Sequence, residues 1–273
     1  MVKVVENQHI LTESFLKRFR DANRKIYHGK KVKRGETWQF EEEHIPFNKN
    51  LCAAKNYNED HGNILGSMED FRKKEESRFS NILPSILRGE DISPIKPAIL
   101  RAMSFMYGGC PHMKVFSEEI WNTEPNVRSR NNRPIDFQKD TLEFALDYGL
   151  HPMMPYSECD VIVIKKENVD FITSDIPVIH EPGFNCFYMP ISPDVCLIAY
   201  RLEMPQHAQL LSVVPRDEVA DLINEELIKH AAYEVFSRSS MGRYKDVLSE
   251  KGLPPGFNEV YSNHQTIIKR HMK

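Results

Sequence analysis

The spacing of apolar residues changes from a helical period to a strand pattern along this chain, and this change constrains the fold more than any other feature. Between residues 64 and 88, apolar side chains recur at steps of three and four, which predicts a helix. Later, β-branched residues are concentrated in short runs that are typical of strands and begin near Cys159, Asp170, Phe187 and Val195. We therefore predict an α+β fold: a helix-rich N-terminal half, and a mixed or antiparallel sheet of at least four strands in the C-terminal half, covered by helices.

Local patterns place the other elements. Glycine readily adopts a positive φ, so the segment 27–30, which contains Gly29, predicts a turn between short strands. The charged stretch 72–78 predicts a solvated break in the helix over 64–88, or a face turned toward a site. The other predicted elements are a first helix with Thr12 as its N-cap and Phe15, Leu16 and Phe19 on its apolar stripe, strand positions at Val32, Trp38 and Phe40, helices over 98–107 and 137–150, and a helix from Pro215 whose apolar stripe continues through Val235 and Phe236.

Length and composition favour one main domain. A chain of 273 residues with 41% hydrophobic residues can bury a large core without a metal or a disulfide. Asparagine, proline and arginine gather in segment 122–138, which is a candidate subdivision. We predict a domain over residues 1–240 and a C-terminal extension over 241–273.

Charge and cysteine content narrow the function classes. The formal net charge of -3 argues against a polycation that wraps nucleic acid, although a local basic patch stays open. Five scattered cysteines, with no C-x-x-C pair, favour a reducing, cytoplasmic compartment. The chain has no secretory signal pattern and no apolar run of about 18 residues, so we expect no membrane association.

The familiar catalytic motifs are absent from the sequence. It contains no phosphate-binding P-loop, no G-x-G-x-x-G, no G-x-S-x-G and no H-E-x-x-H. Four local clusters remain as candidates for a site.

The first two clusters lie in the N-terminal half. Asn7 and His9 precede the first helix, where His9 could act as a base or metal ligand or could simply satisfy the packed N-terminus. Glu69 and Glu76 are seven residues apart, so they share a helix face and could hold a divalent cation, Mg or Mn. A solvated charged face explains the same pattern.

The other two clusters lie in the C-terminal half. Ser174 and Asp175 end an apolar strand, where catalytic carboxylates often lie, but the same residues could form an Asx-type turn. Asn224 lies on the apolar stripe of the late helix and must bond either to the sheet or to a ligand. Arg101, on another apolar helix, needs a carboxylate, which Asp175 or a helix glutamate could supply.

A basic segment could contact phosphates. Residues 17–34 contain nine lysines and arginines and a single acid, Asp21. Arg18, Lys30 and Lys31 are the candidate phosphate-binding residues in this segment.

Together these clusters resemble the bacterial family of domains of unknown function 4238, over roughly residues 6–240. The segment Thr173-Ser-Asp-x-Pro-Val, followed about fifteen residues later by Pro190-x-Ser-Pro, carries most of this resemblance. Asn7-Gln-His9, Asn56-Tyr57, Glu69, Glu76, Arg101 and Asn224 add to it. Relatives occur among single-gene systems that resist phage, so the resemblance implies a role in anti-phage defence. It also implies that His9, the helix glutamate and Asp175 belong to distant segments that could converge in the fold.

Our leading hypothesis is a metal-dependent phosphodiester hydrolase that acts on nucleic acid or nucleotide. In it His9 is the base or ligand, Glu76 and Asp175 hold the cation, and Arg101 stabilises phosphate charge; Asn7, Ser174, Asn224, Arg18, Lys30 and Lys31 contact the substrate. The alternative is a non-enzymatic sensor that recognises a phage component through its basic N-terminal arm, with Asp175 and Asn224 as architectural residues. A metabolic phosphohydrolase is a third interpretation.

Overall fold

A computed structural model describes residues 11, 13–34, 37–48, 51, 66–108, 158–180, 186–203, 214–231 and 233–247. In chain order, these residues form helix α1 (Glu13–Leu16), strands β1 (Lys25–Arg34) and β2 (Thr37–Pro46), helices α2 (Gly66–Arg88) and α3 (Lys96–Gly108), strands β3 (Cys159–Lys165), β4 (Thr173–Ser174), β5 (Ile179–His180), β6 (Cys186–Ser192) and β7 (Val195–Arg201), helix α4 (Arg216–His230) and strand β8 (Glu234–Ser237). Short 3₁₀ turns cover Lys17–Phe19, Ser93–Ile95 and Gly242–Tyr244.

The strands form two antiparallel sheets of four. Sheet I has the order β2-β1-β8-β4, and sheet II has the order β3-β7-β6-β5. The α+β prediction is therefore confirmed. Sheet II lies in the C-terminal half as expected, whereas sheet I joins strands from both halves of the sequence.

Sheet II is packed on both faces, because successive side chains along its strands point to opposite faces and those on each face are buried. On β7, Leu197 and Ala199 belong to a core shared with α1, α2 and α3, and Cys196 and Ile198 belong to a second core shared with α4. Burial on both faces explains why these strands are continuously apolar in the sequence. The second core includes Tyr244, so packing continues past residue 240.

The turn predicted at Gly29 is wrong. Residues Lys25–Arg34 form one strand, and Gly29 pairs with Glu42 in its middle. A Cβ atom at Gly29 would lie 2.0 Å from Cζ of Phe40, so this glycine makes room for an aromatic ring from the neighbouring strand. Glycine inside a strand often marks such a close approach.

The structure also corrects three element boundaries. Helix α2 runs without interruption through 72–78, and the predicted strand at 170–175 is reduced to Thr173–Ser174. Helix α4 ends at His230, so Val235 and Phe236 lie in β8 and not on a helical stripe. The backbone becomes extended at Ala231, where ψ is 135°, because β8 must pair with β1 and β4.

Some predicted features fall outside the described residues. These are the helix N-cap Thr12, the subdivision at 122–138, the helix at 137–150 and the extension beyond residue 247. Among the helices that are described, none is both long and apolar enough to cross a membrane.

Candidate functional site

Ser174 and Asp175 form a hydrogen-bonded turn at the end of β4. The Ser174 hydroxyl donates to the carbonyl of Ile176 at 2.8 Å and accepts from the amide of Ile176 at 3.1 Å. The Asp175 carboxylate accepts from the amides of Tyr233 at 2.7 Å and Glu234 at 3.2 Å. Asp175 is 4% exposed, so its charge is directed into the connection between α4 and β8.

Lys31 binds the same connection from β1. Its ammonium donates to the carbonyls of Lys229 at 2.7 Å and Ala231 at 2.6 Å, and its backbone amide donates to Tyr233 at 2.9 Å. Burial lowers the pKa of Lys31 to about 8, partly offset by the negative charge of Asp175, which raises it. Asp175 and Lys31, both candidate site residues, thus lie close together, but each bonds to backbone groups of the connection between α4 and β8.

Asn224 bridges α4 to the segment before β4. Its Oδ1 accepts from the amide of Ile172 at 3.0 Å, and its Nδ2 donates to the Asp170 carbonyl and the Tyr244 hydroxyl, each at 2.9 Å. The side chain is fully buried. These contacts match the bridge to the sheet that the sequence left open as one alternative.

Arg101 is held by a glutamate that the sequence analysis did not select. Its Nε donates to Glu75 at 2.7 Å and its Nη2 donates at 2.8 Å, so the pair is bidentate and joins α2 to α3. Arg78 donates to the same carboxylate. Burial raises the pKa of Glu75, but the hydrogen bonds and charges of the two arginines outweigh it and lower the pKa below its usual value.

The sequence contained a signal for Glu75. It lies four residues before Phe79 and seven before Ile82, on the apolar stripe of α2, and its side chain is 3% exposed. A carboxylate on an apolar stripe requires a buried partner. Glu76, the predicted ligand, is the next residue along and is half-buried.

A second group of charges was also missed. Arg238 donates to Asp170 at 2.7 and 3.0 Å and to Asp194 at 2.8 and 3.1 Å, while Lys166 and Ser239 also bond to Asp170. Burial raises the pKa of Asp170, but these hydrogen bonds outweigh burial and lower the pKa to about 2. The network joins three loops at one end of sheet I.

One row across sheet I combines buried polar groups with an aromatic ring. His28 and Thr173 both pair with Phe236 in register, and the His28 ring stacks on Phe236 with centroids 5.1 Å apart. His28 Nε2 is 3.2 Å from a Glu234 oxygen, without hydrogen-bond geometry. Within the described chain, neither the His28 ring nor the Thr173 hydroxyl has a hydrogen-bond partner.

The basic candidates differ in exposure. Lys30 is 45% exposed and its ammonium lies 3.8 Å from Glu43, whereas Lys31 is buried as described above. Arg18 is half-buried in the 3₁₀ turn after α1. Asn7 and His9 lie outside the described residues, so the substrate contact of Asn7 and the convergence of His9 with Asp175 stay predictions. Across the described ranges, no group of three or more His, Cys, Asp or Glu side chains is placed to hold a metal.

Comparison with known proteins gives one match. No curated protein and no solved structure matches the chain significantly. Residues 114–241 match the family model described as a protein of unknown function (DUF4238). The matched range contains Ser174, Asp175 and Asn224, whereas Arg18, Glu75 and Arg101 precede it. Over these residues, the chain resembles the DUF4238 family, as the Thr173-Ser-Asp-x-Pro-Val segment and Asn224 predicted. The resemblance expected over residues 6–113 stays a prediction.

Proposed function

We propose that this protein is a cytoplasmic anti-phage effector that binds the phosphate groups of a nucleic acid or nucleotide and hydrolyses a phosphodiester with Mg or Mn. The observation that carries the proposal is the Glu75–Arg101 pair. The defence setting rests on the family resemblance, and the compartment rests on the scattered cysteines, which form no C-x-x-C pair.

The pair has the properties of a phosphate-recognition group. Glu75 bonds to the Nε and Nη2 edge of Arg101, so the guanidinium plane is fixed before a ligand arrives. The Arg101 side chain remains 38% exposed, and Arg78, on the same carboxylate, is 51% exposed. Two arginines share one buried carboxylate, and guanidinium groups match phosphate in a bidentate geometry.

The metal part of the proposal rests on the sequence. Glu76 follows Glu75 directly in α2, and His9 and Asp175 complete the proposed ligand set. Of these residues, Asp175 already accepts two backbone hydrogen bonds, so coordination through its Oδ2 would compete with the amides of Tyr233 and Glu234. Glu76 and His9 are therefore the more informative residues for a metal test.

The test is an activity screen with matched variants. The purified protein is incubated with Mg or Mn and single-stranded DNA, duplex DNA, RNA and cyclic or linear nucleotides. Loss of phosphate stabilisation predicts that R101A reduces turnover by a factor of about 100 or more, and that R101K loses less. The control is R88A, because Arg88 is an exposed arginine at the end of α2 that pairs with Glu90.

Two results would contradict the hydrolase proposal. The first is absence of turnover on every substrate by folded protein that protects cells from phage. The second is full activity of R101A at unchanged thermal stability. Isothermal titration of Mn into wild-type protein and into H9A and E76Q variants tests the metal separately from turnover.

A second candidate function has a specific observation in its favour. Ser174, Asp175 and Asn224 all bond to backbone groups, as an architectural role for them requires. A non-enzymatic sensor that recognises a phage component through its basic N-terminal segment would use them in this way. In that case R101A keeps protection in cells, while D175A and N224A lose it together with the fold, as measured by circular dichroism.

A further inference from the structure

Strand β2 is a long, regular strand at the edge of sheet I. It contains ten residues, about twice the usual length of a strand, and all ten pair with β1 in one continuous register. Among the strands that the structure describes, β2 is the terminal one of the order β2-β1-β8-β4. Gln39, Glu41, Glu43 and His44 are exposed, so solvent reaches this edge of the sheet.

The hydrogen bonds of β1 show which backbone groups of β2 point outward. Opposite residues of an antiparallel pair alternately bond to each other and point away from each other. Lys31 is opposite Phe40, but its amide donates to Tyr233, away from β2. The amide and carbonyl of Phe40 therefore point to the outer edge, and the alternation repeats this direction at Glu42 and His44.

Side-chain contacts hold these three residues in the strand. Nε2 of His44 lies 3.0 Å from Oδ2 of Asp21, and the His44 ring stacks on Tyr27 with centroids 4.1 Å apart. The Glu42 carboxylate accepts from the hydroxyl of Ser240 at 2.8 Å. The third residue carries the aromatic ring that packs over β1, as described above. The edge is thus fixed in an extended conformation before a partner arrives, which reduces the entropy lost on binding.

The opposite face of β2 favours a partner of positive charge. Glu41 and Glu43 lie on this face, and β1 supplies them with Arg34 and Lys30 from its own side. Opposite charges on neighbouring strands stabilise their pairing, and like charges destabilise it. A second copy of β2, paired antiparallel, would bring two runs of glutamate together. A basic strand matches this edge as β1 matches the other side of β2.

We infer that the outer edge of β2 is a docking edge for an extended segment of another protein, which joins sheet I as a fifth strand and carries Lys or Arg at alternate positions. Natural sheets commonly protect an exposed edge with a lysine, an internal proline or a bulge. β2 has no lysine, its single proline is its last residue, Pro46, and its register with β1 has no bulge. In such strand addition, backbone hydrogen bonds supply affinity and alternate side chains supply specificity. This partner requires neither phosphate, metal nor hydrolysis, so the docking edge adds to the function proposed above.

The test uses short capped peptides and the wild-type protein. One peptide alternates Lys and Thr, and a second alternates Glu and Thr. A third alternates Lys and Pro, which keeps the positive charge but removes half of the amide donors. Affinity is measured by fluorescence anisotropy, and exchange of individual backbone amides is measured by NMR. The variant E41Q/E43Q is compared with E158Q/E167Q, which removes two exposed carboxylates at the two ends of β3.

We expect the Lys–Thr peptide to bind and to slow the exchange of the amides of Phe40, Glu42 and His44. Exchange at Glu41 and Glu43 should not change, because their amides already point to β1. The E41Q/E43Q variant should bind this peptide about 2- to 30-fold more weakly, since two cross-strand charge pairs are lost. The E158Q/E167Q variant should bind it like wild type, and the Glu–Thr and Lys–Pro peptides should bind wild type more weakly.

Four results would overturn the inference. The first is a folded wild-type protein that does not bind the Lys–Thr peptide, or binds it without slower exchange at the three outward amides. The second is equal affinity for the Lys–Thr and Lys–Pro peptides, which would show attraction between charges without strand pairing. The third is unchanged affinity in E41Q/E43Q. The fourth is slower exchange of these amides in the protein alone as its concentration rises, which would make the edge an interface between two copies of this chain.

Discussion

Replacing Asp175 with alanine should destabilise the fold strongly. The change removes the acceptor for two amides and leaves the buried Lys31 ammonium without its negative neighbour. Hydrogen bonds to a charged group contribute about 1.5–3 kcal/mol each, and breaking a buried charge interaction costs about 3–5 kcal/mol. The 2.7 Å bond to Tyr233 is the stronger of the two, and Lys31 keeps its two carbonyl acceptors. We therefore expect D175A to lower the free energy of unfolding by about 3–4 kcal/mol.

The assay is urea unfolding at pH 7, followed by circular dichroism. D175N keeps an acceptor oxygen but loses the charge, so it should lose about half as much stability. E167A is the control, because Glu167 is an exposed carboxylate on the loop after β3 and its removal should change stability by less than about 0.5 kcal/mol. In a double-mutant cycle, D175N should lower the free energy of unfolding less in the K31M variant than in wild type.

The reasoning is refuted if D175A unfolds within about 0.5 kcal/mol of wild type. If that stable variant also loses protection or turnover, the carboxylate acts on a ligand and not on the α4–β8 connection.

Three other predictions concern the stability contributed by Asn224, Gly29 and Asp170. N224A should lose about 3 kcal/mol in urea unfolding, because three hydrogen bonds disappear and the buried amide of Ile172 loses its acceptor; a loss below about 1 kcal/mol would contradict this. G29A should lose about 1–3 kcal/mol because its Cβ would overlap the Phe40 ring, and F40A should reduce that loss, whereas additive effects would show that the overlap is relieved elsewhere. The pKa of Asp170 is lowered from 3.8 to about 2 in the folded state, so it stabilises the protein above pH 3.8, and about 2 kcal/mol is lost as the pH falls toward 2. This acid-dependent loss should be absent from the D170N variant, and equal pH profiles for the two proteins would refute it.

Much of the secondary structure could be predicted from local patterns. Helix α3 and strands β3, β6 and β7 lie within about two residues of their predicted bounds, because each is packed on the core in the way that its apolar pattern indicates. The errors fall where packing between distant segments overrides local preference. Gly29 is a turn former by itself, but the ring of Phe40 from the next strand makes it a strand residue.

The candidate site residues also divide into those that local patterns predicted and those that only packing between distant segments brings together. The sequence predicted that Arg101 needs a carboxylate, and the structure supplies one in Glu75. The sequence analysis selected Glu76 as a cation ligand because Glu76 lies seven residues after Glu69. Charge spacing alone cannot show which of two adjacent carboxylates faces a neighbouring helix. The Asp170–Arg238–Asp194 network could not be predicted, because its members come from loops that only the two sheets bring together.

By itself the sequence determined the α+β class, the apolar faces of the helices and the family resemblance, because these depend on residue type and spacing within short segments. Tertiary structure alone decided which charges are neutralised. It directs the Asp175 carboxylate and the Lys31 ammonium toward backbone groups of one connection, and it pairs Arg101 with Glu75 of the neighbouring helix. A charge is stable in a fold only with its compensating group, and that group usually comes from a distant part of the chain.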